Sequence, residues 1–184
     1  MWRYSGQNWT KIFEFLHGFK DGNEMISYFN GKLYIVDMRT RKTEVIDVAT
    51  GEVESRIAHP SVMFEYLINA CGDLLGVQLC EPDDIEYKFE IYRLEATESP
   101  RWAKLNGGIG NRVLFLDNII ETGFCLNASE FDGFRGNCIY LRQDHPTRHK
   151  GYRVFIARYD LEEHKSEVLP LPHSTGTWFV PTLC

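Results

Sequence analysis

The chain has 184 residues, 43% of them hydrophobic and 25% charged, with a formal charge of −6. These are globular proportions, not those of a disordered tail, and the acidic balance supplies no electrostatic basis for binding nucleic acid or an acidic membrane. Aromatic residues make up 14%, which suits pleated, half-buried surfaces.

Apolar residues fall in runs of roughly 4–8 separated by Gly, Asn, Asp and Pro, the pattern of strands and turns. In chain order the runs are MISYF, KLYIVD, TEVIDV, SVMFEYLI, DLLGVQL, YKFEIYRL, RVLFL, GFCLNA, NCIYL, YRVFIARY and SEVLPL. With weaker candidates near both ends, the pattern predicts roughly 14 strands. Only KIFEFLHGF offers a helical alternative, and it is short, aromatic and β-branched. No sustained i, i+3, i+4, i+7 stripe occurs, so the expected class is all-β.

Three glycine-led turns, at Gly31, Gly72 and Gly136, each introduce a strongly apolar strand. The first interval, 31 to 72, fits the roughly 40–50 residues of a four-stranded propeller blade. The second, 72 to 136, is too long by about half a blade and contains the extra pair RVLFL and GFCLNA. Each unit closes on a strand, an acidic turn (VATGEVE, LEATESP, LEEHKSE) and another strand. Such divergent repeats also arise in other meanders; read as four-stranded antiparallel blades, roughly 14 strands make a partial β-propeller of about three to four blades.

Five cysteines occur, Cys71, Cys80, Cys125, Cys138 and Cys184, without a CxxC pair. The reading that follows is reduced, mostly buried thiols in an intracellular compartment, cytoplasmic or nuclear. The N-terminus, MWRYSGQNWTK, lacks the apolar core of a signal peptide, and no run approaches the ~20 residues of a membrane span. The sequons at Asn8 and Asn127 are then expected to stay unmodified.

Cys138 sits in the alternating run NCIYL, where period 2 places it with Tyr140 on one face and Ile139 with Leu141 on the other. That pattern favours a small buried residue over a nucleophile. His145 and His149 are four apart, a ligand spacing on a helix, yet QDHPTRHKG reads as a hairpin loop whose Arg and Lys would repel a cation. No metal site and no cofactor is expected. The acids Glu81, Asp83, Asp84 and Glu86 lack the order of an EF-hand loop. NGGIGNR is not GxGxxG and precedes no helix, no GxSxG occurs, and the His and Ser of HSTGT are neighbours in sequence only. Trp9, Trp102 and Trp178 suit packing between sheets better than recognition.

At the third unit, Ser129-Glu130-Phe131, Gly133 and Gly136-Asn137-Cys138-Ile139-Tyr140 resemble the "SASEFPG…GNCIYF" block of plant F-box proteins with a C-terminal KIB-type β-propeller. Gly110 to Leu116 resembles that family's "LGDRVLFLG", Val154-Phe155 with Tyr159 to Glu162 its "VFDLEDG", and Trp178, Phe179, Pro181 and Leu183 its terminal "W–x–x–P–S–L". Gly6, Trp9-Thr10 and Asn30 to Tyr34 resemble its "PGD–x–x–W" and "KGKFYA" segments. The resemblance implies that residues 1–184 form the C-terminal half of such a propeller, without F-box or second domain.

Full-length relatives would then be substrate-recognition subunits of cullin-based ubiquitin ligases. The implied role here is a protein–protein interaction module, not an enzyme, with an unknown protein target and no docking on a Skp-type adaptor. The expected partner-binding loops carry Glu81, Asp83 and Asp84, and Asp144, His145, Arg148 and His149. The alternatives are a glycan-binding or hydrolytic β protein using these acids, and a gene remnant without function. An open half-propeller is further expected to bare apolar sheet faces and to self-associate to complete the ring.

Overall fold

The computed structural model describes residues 2–5, 8–11, 24–59, 62–80, 87–118, 122–146 and 152–169. It is built of strands, with a single 3-10 turn at Ala128–Glu130 among the described residues. KIFEFLHGF beyond Lys11 lies outside them, as do Glu81, Asp83, Asp84, Arg148, His149, Trp178 and Cys184. The chain divides into two compact units, 1–63 with 94–102, and 64–93 with 103–184.

In the first unit, β1 (Trp2–Ser5) pairs with β2 (Asn8–Lys11) as a hairpin. A four-stranded meander follows, β3 (Glu24–Phe29), β4 (Lys32–Asp37), β5 (Lys42–Asp47) and β6 (Val53–Ala58). β3 and β4 are joined by Asn30 and Gly31, both left-handed at φ 48° and 78°. A two-residue turn of that hand matches the strands' own twist, and Asn-Gly is its favoured pair. The next two turns are tied by aspartates. Asp37 Oδ1 accepts the N–H groups of Arg39 and Thr40, and Asp47 Oδ1 those of Ala49 and Thr50.

Alternation along β4 and β5 splits the apolar residues between two faces. Leu33, Ile35 and Ile46 form one buried cluster, while Tyr34, Val36, Thr43 and Val45 are buried on the other face. The centre of the Leu33 face is buried, while Ile26 (52%), Tyr28 (57%) and Val53 (44%) are exposed at its margin.

The second unit holds most of another meander, β7 (Tyr66–Ala70), β8 (Asp73–Cys80), β9 (Lys88–Glu95) and β10 (Arg101–Lys104). SVMFEYLI is shorter as a strand than its composition predicts. Phe64 leaves the ladder and lies buried over Gly76 of β8, against the ring of Tyr92.

The third sheet departs from the predicted pattern. It contains β11 (Arg112–Asp117), β12 (Thr122–Asn127), β13 (Cys138–Pro146), β14 (Tyr152–Asp160) and β15 (Lys165–Leu169), in the order β12-β11-β13-β14-β15. The surplus pair in the long interval thus joins β13, β14 and β15 in a five-stranded sheet, and β11 runs parallel to β13. The reason is visible in the chain. Gly110-Asn111 opens β11 much as Gly136-Asn137 opens β13, and both strands are continuous apolar runs able to be buried on two faces. Asn137, at φ 59°, fastens the arrangement: its N–H donates to Arg112 O, its Oδ1 accepts from Ile109 N–H, and its carbonyl accepts from Leu161 N–H.

The main core of this unit joins Ile68, Leu75, Val77 and Ile91 to Leu114, Leu116, Ile139 and Leu141. On the opposite face of the third sheet, Phe115 stacks on its register partners Phe124 and Tyr140, with centroids 4.9 and 5.3 Å away. Phe134 stands edge-on to both Phe115 and Tyr140. Cys138 is buried beside Tyr140 in this cluster while Ile139 and Leu141 enter the main core, as period 2 predicts.

Candidate functional site

The two loops singled out by their charges have described stems, and both stems belong to the second unit. Loop 81–86 leaves the Cys80–Lys88 rung at the end of the β8–β9 hairpin. The β13–β14 hairpin closes with Pro146 opposite Tyr152. Here a correction is required. Asp144 and His145 are ladder residues, paired in backbone register with Val154 and Arg153, not loop residues. The strand continues because Pro146 takes the last rung, where its missing N–H interrupts nothing further.

The stems are joined side chain to side chain. Tyr87, the first described residue after loop 81–86, donates its hydroxyl proton to Gln143 Oε1, three residues before Pro146. Burial pushes the Tyr87 phenol up, so it stays a neutral donor. Beneath the stems, Asp117 and Arg142 are rung partners in the parallel pair and form a 2.8 Å ion pair, with Asp117 wholly buried. Asn118 N–H donates to Arg142 O, and Tyr66 OH donates to Asn118 Oδ1. Glu65 Oε2 accepts the Leu79 N–H at 2.6 Å; burial raises its carboxyl despite that bond. Both hairpins therefore rise from a polar base bound into the core.

A cleft of about 450 Å³ opens beside the Cys80–Lys88 rung, with Phe89, Ile91, Leu105 and Leu161 among its apolar walls. That volume lies in the range of sites that enclose a small molecule or a few side chains. Two of its charges, Lys104 and Glu90, are engaged with each other. Lys104 Nζ lies 2.6 Å from Glu90 Oε1, Tyr92 OH donates to Glu90 Oε2, and these bonds lower the Glu90 carboxyl. The Cys80 thiol is raised by burial and then by Glu90, so it does not supply a thiolate.

Elsewhere, Trp102 is a packing residue. It is buried, its Nε1 donates to Thr43 Oγ1 at 3.1 Å, and its ring lies 5.7 Å from His59. Thr43 Oγ1 in turn meets His59 Nε2 at 2.6 Å, and burial lowers the His59 pKa to about 4. A neutral imidazole carries one ring N–H and one acceptor nitrogen, so it can pair with the Thr43 hydroxyl in either direction. No group of three His, Cys, Asp or Glu suited to a metal occurs among the described residues, and no helix among them is long and apolar enough to cross a membrane. The Tyr87–Gln143 link between stems was not foreseen, since its members lie 56 residues apart and no local pattern marks them.

Blade-like sheets with hairpins raised from a common polar base define an all-β chain of the propeller class. The chain belongs to the KIB1-4 β-propeller family, whose model matches residues 1–161, and the fold is that of a partial β-propeller. No curated protein and no solved structure matches it.

Proposed function

We propose that this chain is a protein-binding module whose partner sits on the β8–β9 and β13–β14 hairpins, as in the target-recognition portion of an F-box ubiquitin-ligase subunit. The observation that carries the reading is the Tyr87–Gln143 link. It holds together the stems of two charged loops in a chain whose family is a propeller family. Propellers present loops at the ends of their blades, and loops raised on a rigid scaffold are where binding residues concentrate. The chemistry supporting this role is recognition without catalysis. The chain binds the target through these loops, so an added copy of the chain competes for that target.

The test is comparative capture on the immobilised chain. Glu81, Asp83 and Asp84 are changed to Ala in one variant, and His145, Arg148 and His149 in another, with recovery quantified by mass spectrometry and folding checked by melting. A defined protein lost from both variants at unchanged Tm supports the reading. The same protein, supplied to an F-box relative that ubiquitinates it, should be modified more slowly when free chain is added. Equal capture by wild type and both variants overturns these loops as the site.

A further inference from the structure

Cys71 and Cys125 are 54 residues apart in sequence, and their Sγ atoms lie 3.7 Å apart. Cys71 is exposed and occupies the first position of the two-residue turn between Ala70 and Asp73, with φ 48°, followed by Gly72 at 95°. The same turn in the first sheet carries Asn30-Gly31. Asn is favoured there because it tolerates the left-handed region, whereas Cys has no such preference. Residues kept in disfavoured backbone regions concentrate at functional positions. The partner is brought close by packing: β12 lies against β7, and a Cβ on Gly123 would be 3.0 Å from Ile68 Cδ1. Two independent features, a cysteine in an asparagine's turn and a second thiol at contact distance, converge on one place.

We propose that Cys71 and Cys125 are a redox-sensitive pair, oxidised by a hydroperoxide to a disulfide that ties the β7–β8 turn to β12. The exposed Cys71 sulfur attacks a peroxide oxygen. An S–O bond forms, the O–O bond breaks, and Cys71 becomes a sulfenic acid with release of water or alcohol. The Cys125 sulfur then attacks the Cys71 sulfur, forming S–S and breaking S–O, and the departing hydroxide takes the Cys125 proton as water. Two electrons pass from the two sulfurs to the peroxide. The division of labour follows from exposure. Burial, and then the contact with Cys71, push the Cys125 thiol up to about 12, which leaves Cys71 as the point of entry. Forming the bond closes the sulfur gap from 3.7 Å to the ~2 Å of a disulfide. This proposal does not depend on the partner-binding reading.

The purified chain is reduced, treated with stoichiometric hydrogen peroxide, and mapped by non-reducing peptide mass spectrometry alongside a thermal melt. The expected result is a Cys71–Cys125 cross-linked peptide with loss of two hydrogens, about 2 Da, and a Tm several degrees above the reduced form. Cys71→Asn should melt no lower than reduced wild type, because Asn suits the turn, and should show no rise on oxidation. Cys125→Ser should leave Cys71 to over-oxidise. Sulfinic acid at Cys71 with Cys125 still a thiol in the wild-type chain overturns the proposal. So does cross-linking to another cysteine or between chains, a chain that stays reduced, or an equal Tm rise in Cys71→Asn.

Discussion

The ring of Phe64 occupies the space above Gly76: a Cβ built on that glycine would fall 2.6 Å from Phe64 Cδ2 and 2.7 Å from Cζ. Glycine in the middle of β8 is thus a packing requirement, with the aromatic ring supplying the surface that the missing side chain lacks. Gly76→Ala should destabilise by about 1–3 kcal/mol, the usual range for overpacking, and Phe64→Ala by about 3–5 kcal/mol. In a Phe64→Ala background the glycine substitution should lose most of its cost. Urea denaturation of the four species measures this, and full additivity would refute the coupling.

His59 makes stability sensitive to mild acid. The unfolded chain binds its proton near the ordinary value of 6.5, whereas the folded chain holds it off until about pH 4. Between those values the unfolded state carries more protons, so stability is complete above pH 6.5 and declines as pH falls toward 4. Below about 4 the turn aspartates Asp37 and Asp47 add to the loss. Hydrogen bonds from Thr40 and Arg39 outweigh burial at Asp37, and backbone bonds led by Thr50 act at Asp47, so both carboxyls stay below their usual value. Melts from pH 4.5 to 7.5 should slope upward in wild type and flatten in His59→Gln.

The buried hydroxyl of Thr43 accepts from Trp102 Nε1–H and shares a second hydrogen bond with His59 Nε2. Thr43→Val keeps the shape and removes both bonds. The expected loss is about 1–3 kcal/mol, with Thr43→Ser recovering most of it. A neutral valine variant in chemical denaturation would show that other contacts of Trp102 and His59 suffice.

Asp117 and Arg142 form a buried rung pair, and Arg142 Nε has no hydrogen-bond partner among the described residues. Asp117→Ala should cost about 3–5 kcal/mol by leaving the guanidinium uncompensated. Replacing both residues by Leu should cost far less than Asp117→Ala alone, measured by the same denaturation series.

Tyr87→Phe separates binding from folding. It removes the hydroxyl that bridges to Gln143, at a cost of about 0.5–1.5 kcal/mol. Partner capture should fall severalfold while the far-ultraviolet spectrum is unchanged. Capture equal to wild type would argue that the two stems need no fixed spacing.

Strand identity was legible because local alternation and turn chemistry carry it. KLYIVD matches β4 end to end, and the Asn30-Gly31 turn declares its own hairpin. Cys138 and Tyr140 shared a face as their spacing required. The order of the third sheet was not legible. β11 and β13 open with the same Gly-Asn pair, and nothing local states that two such strands lie side by side and parallel. His145 read as a loop residue because of its polar, proline-containing surroundings, while its pairing depends on Arg153 across the hairpin. The meeting of Cys71 and Cys125 was not legible either, since contact across 54 residues leaves no trace in either neighbourhood.

The parallel placement of β13 beside β11 also bears on how the chain comes together during synthesis. The first two sheets are meanders, in which each strand can pair with its predecessor as soon as it emerges. In the third, β11 first pairs with β12, and its other edge waits for residues 138–146. Contacts that require such a return form late, and an open apolar strand edge is a template for pairing with other chains. A nascent chain paused between Asn127 and Cys138 would hold β11 half-clothed, making that interval the one in which a chaperone has most to protect.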